Sequence, residues 1–425
     1  MPKYVIVGAS AAGISAVEAI RDVDPMGTVS IISEELCPKY SRPMISDFVS
    51  GKATVDKMMC REDDFWRVNN VKALTGKIAV TLNTVEKTVT LNDGECVSYE
   101  KLLIATGGKP FVPKMEGTDK DGVFTFTNLS DAVSLSEKLE NSKNIVVIGA
   151  GLIGVSVTEA LVKRGLNVTL VELQKEILSL LLDPKGSDII ERAIKKAGVN
   201  IVTGQSVQRI LGKPNKDQAV GSVILTKGDQ ILCDVVIVAI GVIPRTELVA
   251  GTDVKLNRGI VVDNFMQTSV PDIYASGDVA ETWDFTLNQN RLLPLWPLAV
   301  AQGRVAGTNM AGKKIEYAGG TNMSSLKYFG VPVVSIGIAN PKDETDYEIL
   351  TKCEPERKLY KKIVLKDNLI VGITLVNDIE RAGTLFHLMK KRVNVKKFKN
   401  ELVSEDFGLA MLPAGLRKDM CMGCA

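Results

Sequence analysis

Histidine is all but missing from this chain: there is one, His387, in 425 residues. Any mechanism that needs two histidines, or a histidine-rich metal site, is excluded by that count. Aromatic residues make up only 5%, too few for a surface that stacks nucleic-acid bases. No charge of one sign dominates. With 52 basic and 50 acidic residues the formal net charge is +2, which supplies no broad field for nucleic acid or an anionic membrane. The longest uncharged apolar stretch, Ile145 to Val157, is short for a membrane span and carries three glycines. Seven scattered cysteines make no disulfide framework in a chain of this size. Because Tyr4-Val5-Ile6-Val7 already reads as a buried strand, no secretory signal is expected before it. The expectation is a soluble cytoplasmic protein with no membrane span and no nucleic-acid partner.

What is present is apolar content (45%), abundant glycine (36 residues) and too much length for one ordinary core, so two or three domains are expected. The same unit occurs twice. Tyr4-Val5-Ile6-Val7 runs into Gly8-Ala9-Ser10-Ala11-Ala12-Gly13, an apolar helix through Ile14, Val17 and Ile20, and the strand Val29-Ser30-Ile31-Ile32 ending in Ser33-Glu34. The order recurs as Ile145-Val146-Val147-Ile148, Gly149-Ala150-Gly151-Leu152-Ile153-Gly154, a helix from Val155 to Arg164, and Val168-Thr169-Leu170-Val171-Glu172. Each copy is strand, glycine turn, helix, strand, acid, with the acid about 20 residues past the last glycine.

That spacing has a physical reason. The first glycine makes the tight turn, the second lets backbone approach a pyrophosphate, and the third lets helix and strand pack closely. Backbone N–H groups and the helix dipole hold the phosphates, and the terminal acid accepts ribose hydroxyls. Ser10 stands where the middle glycine of the first copy is expected, and its side chain is small enough for close phosphate approach. Both copies continue into an alternating meander with a glycine turn (Asp93-Gly94; Gly228-Asp229). Each closes on a buried strand, Leu102 to Gly107 in the first and Val235 to Gly241 in the second. Two dinucleotide-binding domains follow from this pattern.

The final third differs. Ile273 to Ala280 reads as a strand ending in glycine and aspartate, and Leu295-Trp296-Pro297 leads into a helix. After Gly319-Gly320 come short strands around Val331, Lys361 and Ile370, then a helix from about Arg381 to Lys391. The predicted fold class is α/β: two Rossmann-like dinucleotide-binding domains and a small C-terminal α+β domain.

Together these motifs resemble the pyridine nucleotide–disulfide oxidoreductase superfamily of two-dinucleotide-fold flavoproteins over nearly the whole chain. The resemblance implies that the first copy binds FAD and that the second, inserted in it, binds NAD(H). It divides the chain into a discontinuous FAD domain (1–112 and 245–320), an NAD(H) domain (113–244), a C-terminal interface domain (321–412) and a tail (413–425). Within the superfamily, Tyr40-Ser41-Arg42-Pro43 looks like the corresponding stretch of the rubredoxin, ferredoxin and nitrite reductase flavoproteins. Those members pass electrons to iron–sulfur or haem partners. Asp47 stands where ferredoxin-reductase members carry a lysine. Val49-Ser50-Gly51-Lys52, Arg61 to Trp66 and Tyr317-Ala318-Gly319-Gly320 are similar to the NADH-binding flavin subunits of phenylglyoxylate dehydrogenase and tungsten aldehyde oxidoreductase complexes.

Carried over residue by residue, the resemblance assigns Gly8, Ser10, Ala11, Ala12, Gly13, Glu34 and Glu35 to the adenosine diphosphate half of FAD. Arg42 and Pro43 would lie against the cofactor, and Ala105, Thr106 and Gly107 would close its fold. Gly277 and Asp278 would hold the ribityl chain, with Pro297 and Leu298 opening a helix aimed at the reduced flavin's negative charge. The core-packing reading is preferred for Trp296. Gly149, Gly151, Leu152, Ile153, Gly154 and Glu172 would hold NAD(H), with Gly241 in the closing segment. A carboxylate at Glu172 pairs with a 2′-hydroxyl and repels a 2′-phosphate, which favours NAD(H) over NADP(H).

Cysteine usage separates the subclasses. Cys37 has no partner at the Cys-x4-Cys spacing, five residues on, and Cys233 stands alone in the second copy, so neither of the superfamily's internal disulfide patterns is present. Cys421 and Cys424 at the C-terminus are two thiols, too few to complete a metal or cluster site, and read first as a reduced tail. His387, in Leu385-Phe386-His387-Leu388, reads as a packed helix side chain. The expected protein is therefore an FAD-dependent NAD(H) oxidoreductase with no acid–base side chain and no metal. An external iron–sulfur protein or subunit is the expected partner, in a complex oxidising an aldehyde or 2-oxoacid. A stand-alone NADH oxidase or disulfide reductase using Cys37 or the terminal pair is the other reading. A homodimer and a hetero-oligomeric complex both stay open.

Overall fold

Tyr4–Val7 is buried along its whole length and lies at the centre of a five-stranded parallel sheet, as an apolar run covered on both faces must. In the computed structural model, which describes residues 3–341, 343 and 345–417, the chain divides into two compact units. The first comprises residues 1–111, 127–134 and 241–320; the second comprises 112–126, 135–240 and the chain from Thr321 onward.

In the first unit Tyr4–Val7 pairs with Val29–Ser33 on one side and Lys101–Ile104 on the other, Tyr4 standing opposite both Val29 and Lys101. Val71–Thr75 and Ile273–Ala275 complete the edges, both parallel. The chain builds outward in one direction, then returns to the other side of the central strand. That reversal is the switch point at which open α/β sheets bind ligands. The helix Ala11–Val23 packs on the sheet and against a second helix, Trp296–Met310. Close approach of the two is possible because Gly303 and Gly307 face the backbone of Ala12 and Ala16, where any Cβ would overlap a carbonyl. Every buried Ile or Val of this core contributes roughly 1.5–3 kcal/mol.

The second unit repeats the scheme with the order Asn200–Thr203, Asn167–Glu172, Asn144–Ile148, Val235–Val238 and Val123–Thr125, again all parallel. It also holds a five-stranded antiparallel sheet formed from Met323–Tyr328, Val331–Gly337, Leu369–Val376, Leu359–Lys366 and Glu348–Glu354 in that spatial order. A helix, Ala382–Lys390, packs on Leu369–Val376. The predicted C-terminal strands and helix are all present. Adjacent Lys361 and Lys362 are both buried. Lys361 pairs with Asp378 at 2.6 Å and Lys362 with Asp183 at 3.1 Å, as buried ammonium groups require.

Two helices were not read from the sequence. Leu129–Leu139 and Pro184–Lys196 lie where no apolar run draws attention, yet Asp183-Pro184 is a helix-start signal. The Asp183 carboxylate caps the Gly186 N–H at 3.0 Å and Pro184 opens the first turn. The helix expected from Val155 begins three residues earlier, at Leu152, capped by Gly151. Among the described residues no helix is long and apolar enough to cross a membrane.

Candidate functional site

The two glycine turns are built alike. Gly8 has φ +113°, and a Cβ there would overlap the Ala105 carbonyl; Gly149 has φ +99°, with the Ala239 carbonyl oxygen 2.7 Å from a Cβ placed on it. A Cβ on Gly13 or Gly154 would overlap the carbonyl of Gly8 or Gly149 respectively. Each first glycine N–H donates 2.8 Å to the carbonyl of the neighbouring strand, Ile32 or Val171. A Cβ placed on Gly151 would meet nothing within 4 Å. Ser10 and Gly151 occupy the same place, the N-cap of the following helix, and neither caps it with a side chain. The first N–H groups of both helices therefore stay available to an anion. Ala11 and Ala12 on one side, and Leu152 and Ile153 on the other, form these first turns.

The acids at the strand ends behave differently. Glu172 closes its own loop: Oε2 accepts the Ala150 N–H at 2.6 Å and Oε1 the Gln174 N–H at 2.9 Å. In the first unit Glu34 is exposed and ion-paired with Arg245. Glu35 turns inward, accepting from the buried Tyr40 hydroxyl at 2.6 Å and pairing with Arg42. Tyr40 in turn accepts the Leu129 N–H at 2.8 Å, and burial pushes its hydroxyl pKa up. Pro43 sits in the short 3-10 turn Arg42–Met44, which Arg42 opens. Arg245 and Leu129 were not singled out from sequence, and Tyr40 only as part of the Tyr40-Ser41-Arg42-Pro43 stretch; the folded chain brings all three to these acids.

Arg42 also donates to the Thr127 carbonyl at 3.4 Å, but its Nε is buried without a partner, as is the Ser276 hydroxyl. Asp278 is half-buried; desolvation pushes its carboxyl pKa up, and the Arg42 charge opposes that only in part. Thr106 donates to the Arg245 carbonyl at 2.7 Å, and the Arg245 N–H to the Gly107 carbonyl at 2.9 Å. A two-stranded ribbon, Gly108–Pro110 against Val242–Pro244, follows Gly107 and Gly241, each at positive φ with open space where a Cβ would be. At the start of Trp296–Met310, Pro297 is exposed and Leu298 half-buried, while Trp296 packs against the first unit's core.

These features fit an extended ligand with phosphates and hydroxyls. Free helix N–H groups meet phosphate, and an unpaired guanidinium Nε, a serine hydroxyl and a carboxylate short of partners meet hydroxyl or carbonyl groups. Burying such groups unpaired is costly, which is why they read as a ligand's partners.

The cysteines do not add a redox pair among the described residues. Cys37, Cys96 and Cys353 are exposed, Cys60 is half-buried and Cys233 is buried, all as free thiols. Burial pushes the Cys233 thiol up to about 12, which suppresses the thiolate at neutral pH. Cys421 and Cys424 lie outside the described residues. Asp47 is ion-paired with Lys52 at 3.2 Å. His387 is half-buried in the helix Ala382–Lys390.

Residues 2–303 match the pyridine nucleotide-disulphide oxidoreductase family, and residues 323–393 match the rubredoxin NAD+ reductase C-terminal domain. The chain is 32% identical to the NADH-dependent phenylglyoxylate dehydrogenase subunit epsilon of Aromatoleum evansii, over 95% of this chain and 94% of that protein. It is 30% identical to an NADH oxidase of Methanocaldococcus jannaschii, over 95% and 94% of the two chains. Among solved structures, NADH:rubredoxin oxidoreductase from Clostridium acetobutylicum matches with a TM-score of 0.78 and 26% identity, covering 93% of this chain and 97% of that one.

Proposed function

The chain belongs to the pyridine nucleotide-disulphide oxidoreductase family and is an FAD-dependent NAD(H) oxidoreductase, and from that premise we propose that it passes electrons between NAD(H) and an external iron–sulfur acceptor. The observation that carries the reading is the doubled glycine turn combined with free, separate thiols at all five described cysteines. Two dinucleotides can be held, and no described disulfide stands between the flavin and the acceptor. The match of residues 323–393 to a rubredoxin reductase C-terminal domain supports an iron–sulfur partner. The phenylglyoxylate dehydrogenase subunit, alike over nearly its full length, supports a place as the flavin subunit of a complex that oxidises an aldehyde or 2-oxoacid.

Bound FAD supplies hydride acceptance and release of electrons singly or in pairs. In this reading the first unit carries it. The N–H groups after Gly8 hold its pyrophosphate, Ser10 leaves room for close approach, and Arg42 Nε and Asp278 take the polar atoms of the cofactor that would otherwise leave them unpaired. Glu34, exposed and paired to Arg245, and Glu35, paired to Arg42, are the carboxylates nearest the expected ribose position in sequence. The start of Trp296–Met310 supplies a positive helix end, which stabilises negative charge and raises a flavin's potential. The second unit carries NAD(H) on the turn Gly149 to Gly154. Glu172 both ties down Ala150 and keeps carboxylate lone pairs for a ribose 2′-hydroxyl. No side-chain acid or base is assigned, since hydride transfer to the flavin needs none.

An anaerobic NADH titration of the purified chain, counting electrons per FAD, tests this. Two electrons per FAD, with fast transfer to rubredoxin or ferredoxin, is the expected result. Four would place a redox-active cysteine pair in the cycle and replace the reading. The likeness to the Methanocaldococcus jannaschii NADH oxidase favours a second reading, direct reduction of oxygen with Cys37, one of three exposed thiols among the described residues, taking part. Oxygen turnover faster than rubredoxin reduction, and lost in Cys37→Ser, would select it.

A further inference from the structure

Gln302 is 1% exposed, on the core-facing side of the helix Trp296–Met310. Its Oε1 accepts the Gly277 N–H at 2.8 Å and its Nε2 donates to Thr282 Oγ at 3.2 Å, both bonds buried. One amide thus ties the helix to the residue before Asp278 and to the strand Ala280–Asp284 that follows it. Gly277 has φ +79°, and a Cβ there would lie 3.2 Å from the Ala12 Cβ and 3.7 Å from that of Ala299. The turn is pinched between two helices and has no side chain at its tightest point with which to anchor itself. The Tyr317 hydroxyl is buried beside the same pair, Gln302 and Thr282. The amide is neutral, so it fixes the turn without adding charge near a carboxylate that burial already disfavours.

We propose that Gln302 is a positioning residue for the flavin cofactor: it locks the Ser276-Gly277-Asp278 turn to the helix that opens at Trp296-Pro297-Leu298. The Asp278 carboxylate and the positive helix end then meet the cofactor as one rigid piece. This rests on the reading that the first unit carries FAD. Without Gln302 the buried Gly277 N–H loses its acceptor, a cost borne in full by a group that water cannot reach. The turn then shifts relative to the helix, so that cofactor affinity and flavin potential change together.

The test uses the full-length holoprotein, stripped of FAD and reloaded. Gln302→Met keeps length and volume while removing both hydrogen bonds. The FAD dissociation constant is read by flavin fluorescence, the midpoint potential by anaerobic dye equilibration, and integrity of the apoprotein by thermal melting. Gln302→Met raises the dissociation constant about tenfold, the cost of one unsatisfied buried donor, and lowers the midpoint potential. Gln302→Glu, whose buried carboxyl stays protonated, restores an acceptor for Gly277 and brings affinity back to within a few-fold of the parent and the potential to within a small shift of it. Thr282→Val, which removes only the second anchor, gives a smaller loss of the same sign and carries the test if Gln302→Met does not fold. Parental affinity and potential in both Gln302→Met and Thr282→Val would overturn the proposal while leaving the FAD reading intact. A parent chain that takes up no FAD would overturn both.

Discussion

The Lys362 ammonium stands 3.1 Å from the Asp183 carboxylate, with side-chain exposures of 5% and 15%. Asp183 also receives the Tyr360 hydroxyl and caps the helix Pro184–Lys196 through the Gly186 N–H. One carboxylate therefore joins the antiparallel sheet to a helix of the dinucleotide fold inside the second unit.

Asp183→Ala leaves Lys362 buried with Asn340 as its remaining side-chain partner, at 3.2 Å, and is expected to destabilise the second unit by roughly 3–5 kcal/mol. The pH dependence follows from the same contacts. Burial pushes the Asp183 carboxyl pKa up, but the hydrogen bonds from Tyr360 and Gly186 and the Lys362 charge outweigh it and hold the pKa below the ordinary carboxylate value. A depressed folded pKa contributes stability that is present above about pH 4 and lost as pH falls through the folded value. Urea unfolding from pH 7 down to pH 2 should show that loss in the parent and not in Asp183→Asn.

Asp278 has the opposite sign. Its pKa is raised by burial, with Arg42 opposing, so its favourable contribution to the apoprotein is present below about pH 4 and lost as pH rises through the folded value. Asp278→Asn is expected to raise the melting temperature of the apoprotein at pH 7, with the gap closing toward pH 4. The same substitution should weaken FAD binding by about tenfold, the range of one lost charged hydrogen bond. Differential scanning calorimetry and FAD titration read the two effects separately.

Glu172→Ala removes the carboxylate that accepts the Ala150 N–H and that would meet a ribose 2′-hydroxyl. The KM for NADH should rise about tenfold, while that for NADPH falls because the repulsion of a 2′-phosphate is gone. Stopped-flow flavin reduction with each nucleotide measures the ratio; an unchanged preference would move the specificity elsewhere in the second unit.

Gly154→Val would drive a side chain into the Gly149 carbonyl. Overpacking of this kind costs about 1–3 kcal/mol and displaces the turn. Flavin content should be retained, since the first turn is untouched, and NADH-dependent bleaching should be lost by at least a hundredfold in rate at fixed NADH. Gly13→Val should reverse the pattern, losing the flavin itself.

Both dinucleotide folds, the closing strands and the C-terminal strands were legible because their constraints are local. A tight turn, a phosphate-accessible backbone and a close helix–strand packing dictate residue type at fixed spacing, and a buried parallel strand dictates an apolar run. The helix at Pro184 went unread, although its aspartate cap, its proline and the spacing of the buried Ile189, Ile190 and Ile194 are all local signals of it.

What only the tertiary structure decided is which polar groups meet. Nothing in the spacing of Glu34 and Glu35 says that one faces Arg245 in solvent and the other Arg42 and Tyr40 inside. Gln302 reaches Gly277 across 25 residues, and Tyr360 reaches Asp183 across 177. Such pairings depend on which helix lies under which turn, set by burial of apolar faces far from the atoms concerned. The sequence alone determined that this chain makes two dinucleotide turns, because each turn is a short-range steric requirement. The partners of its buried charges and amides were decided by packing, because desolvation makes every such group seek whatever donor or acceptor the fold brings within 3 Å or so.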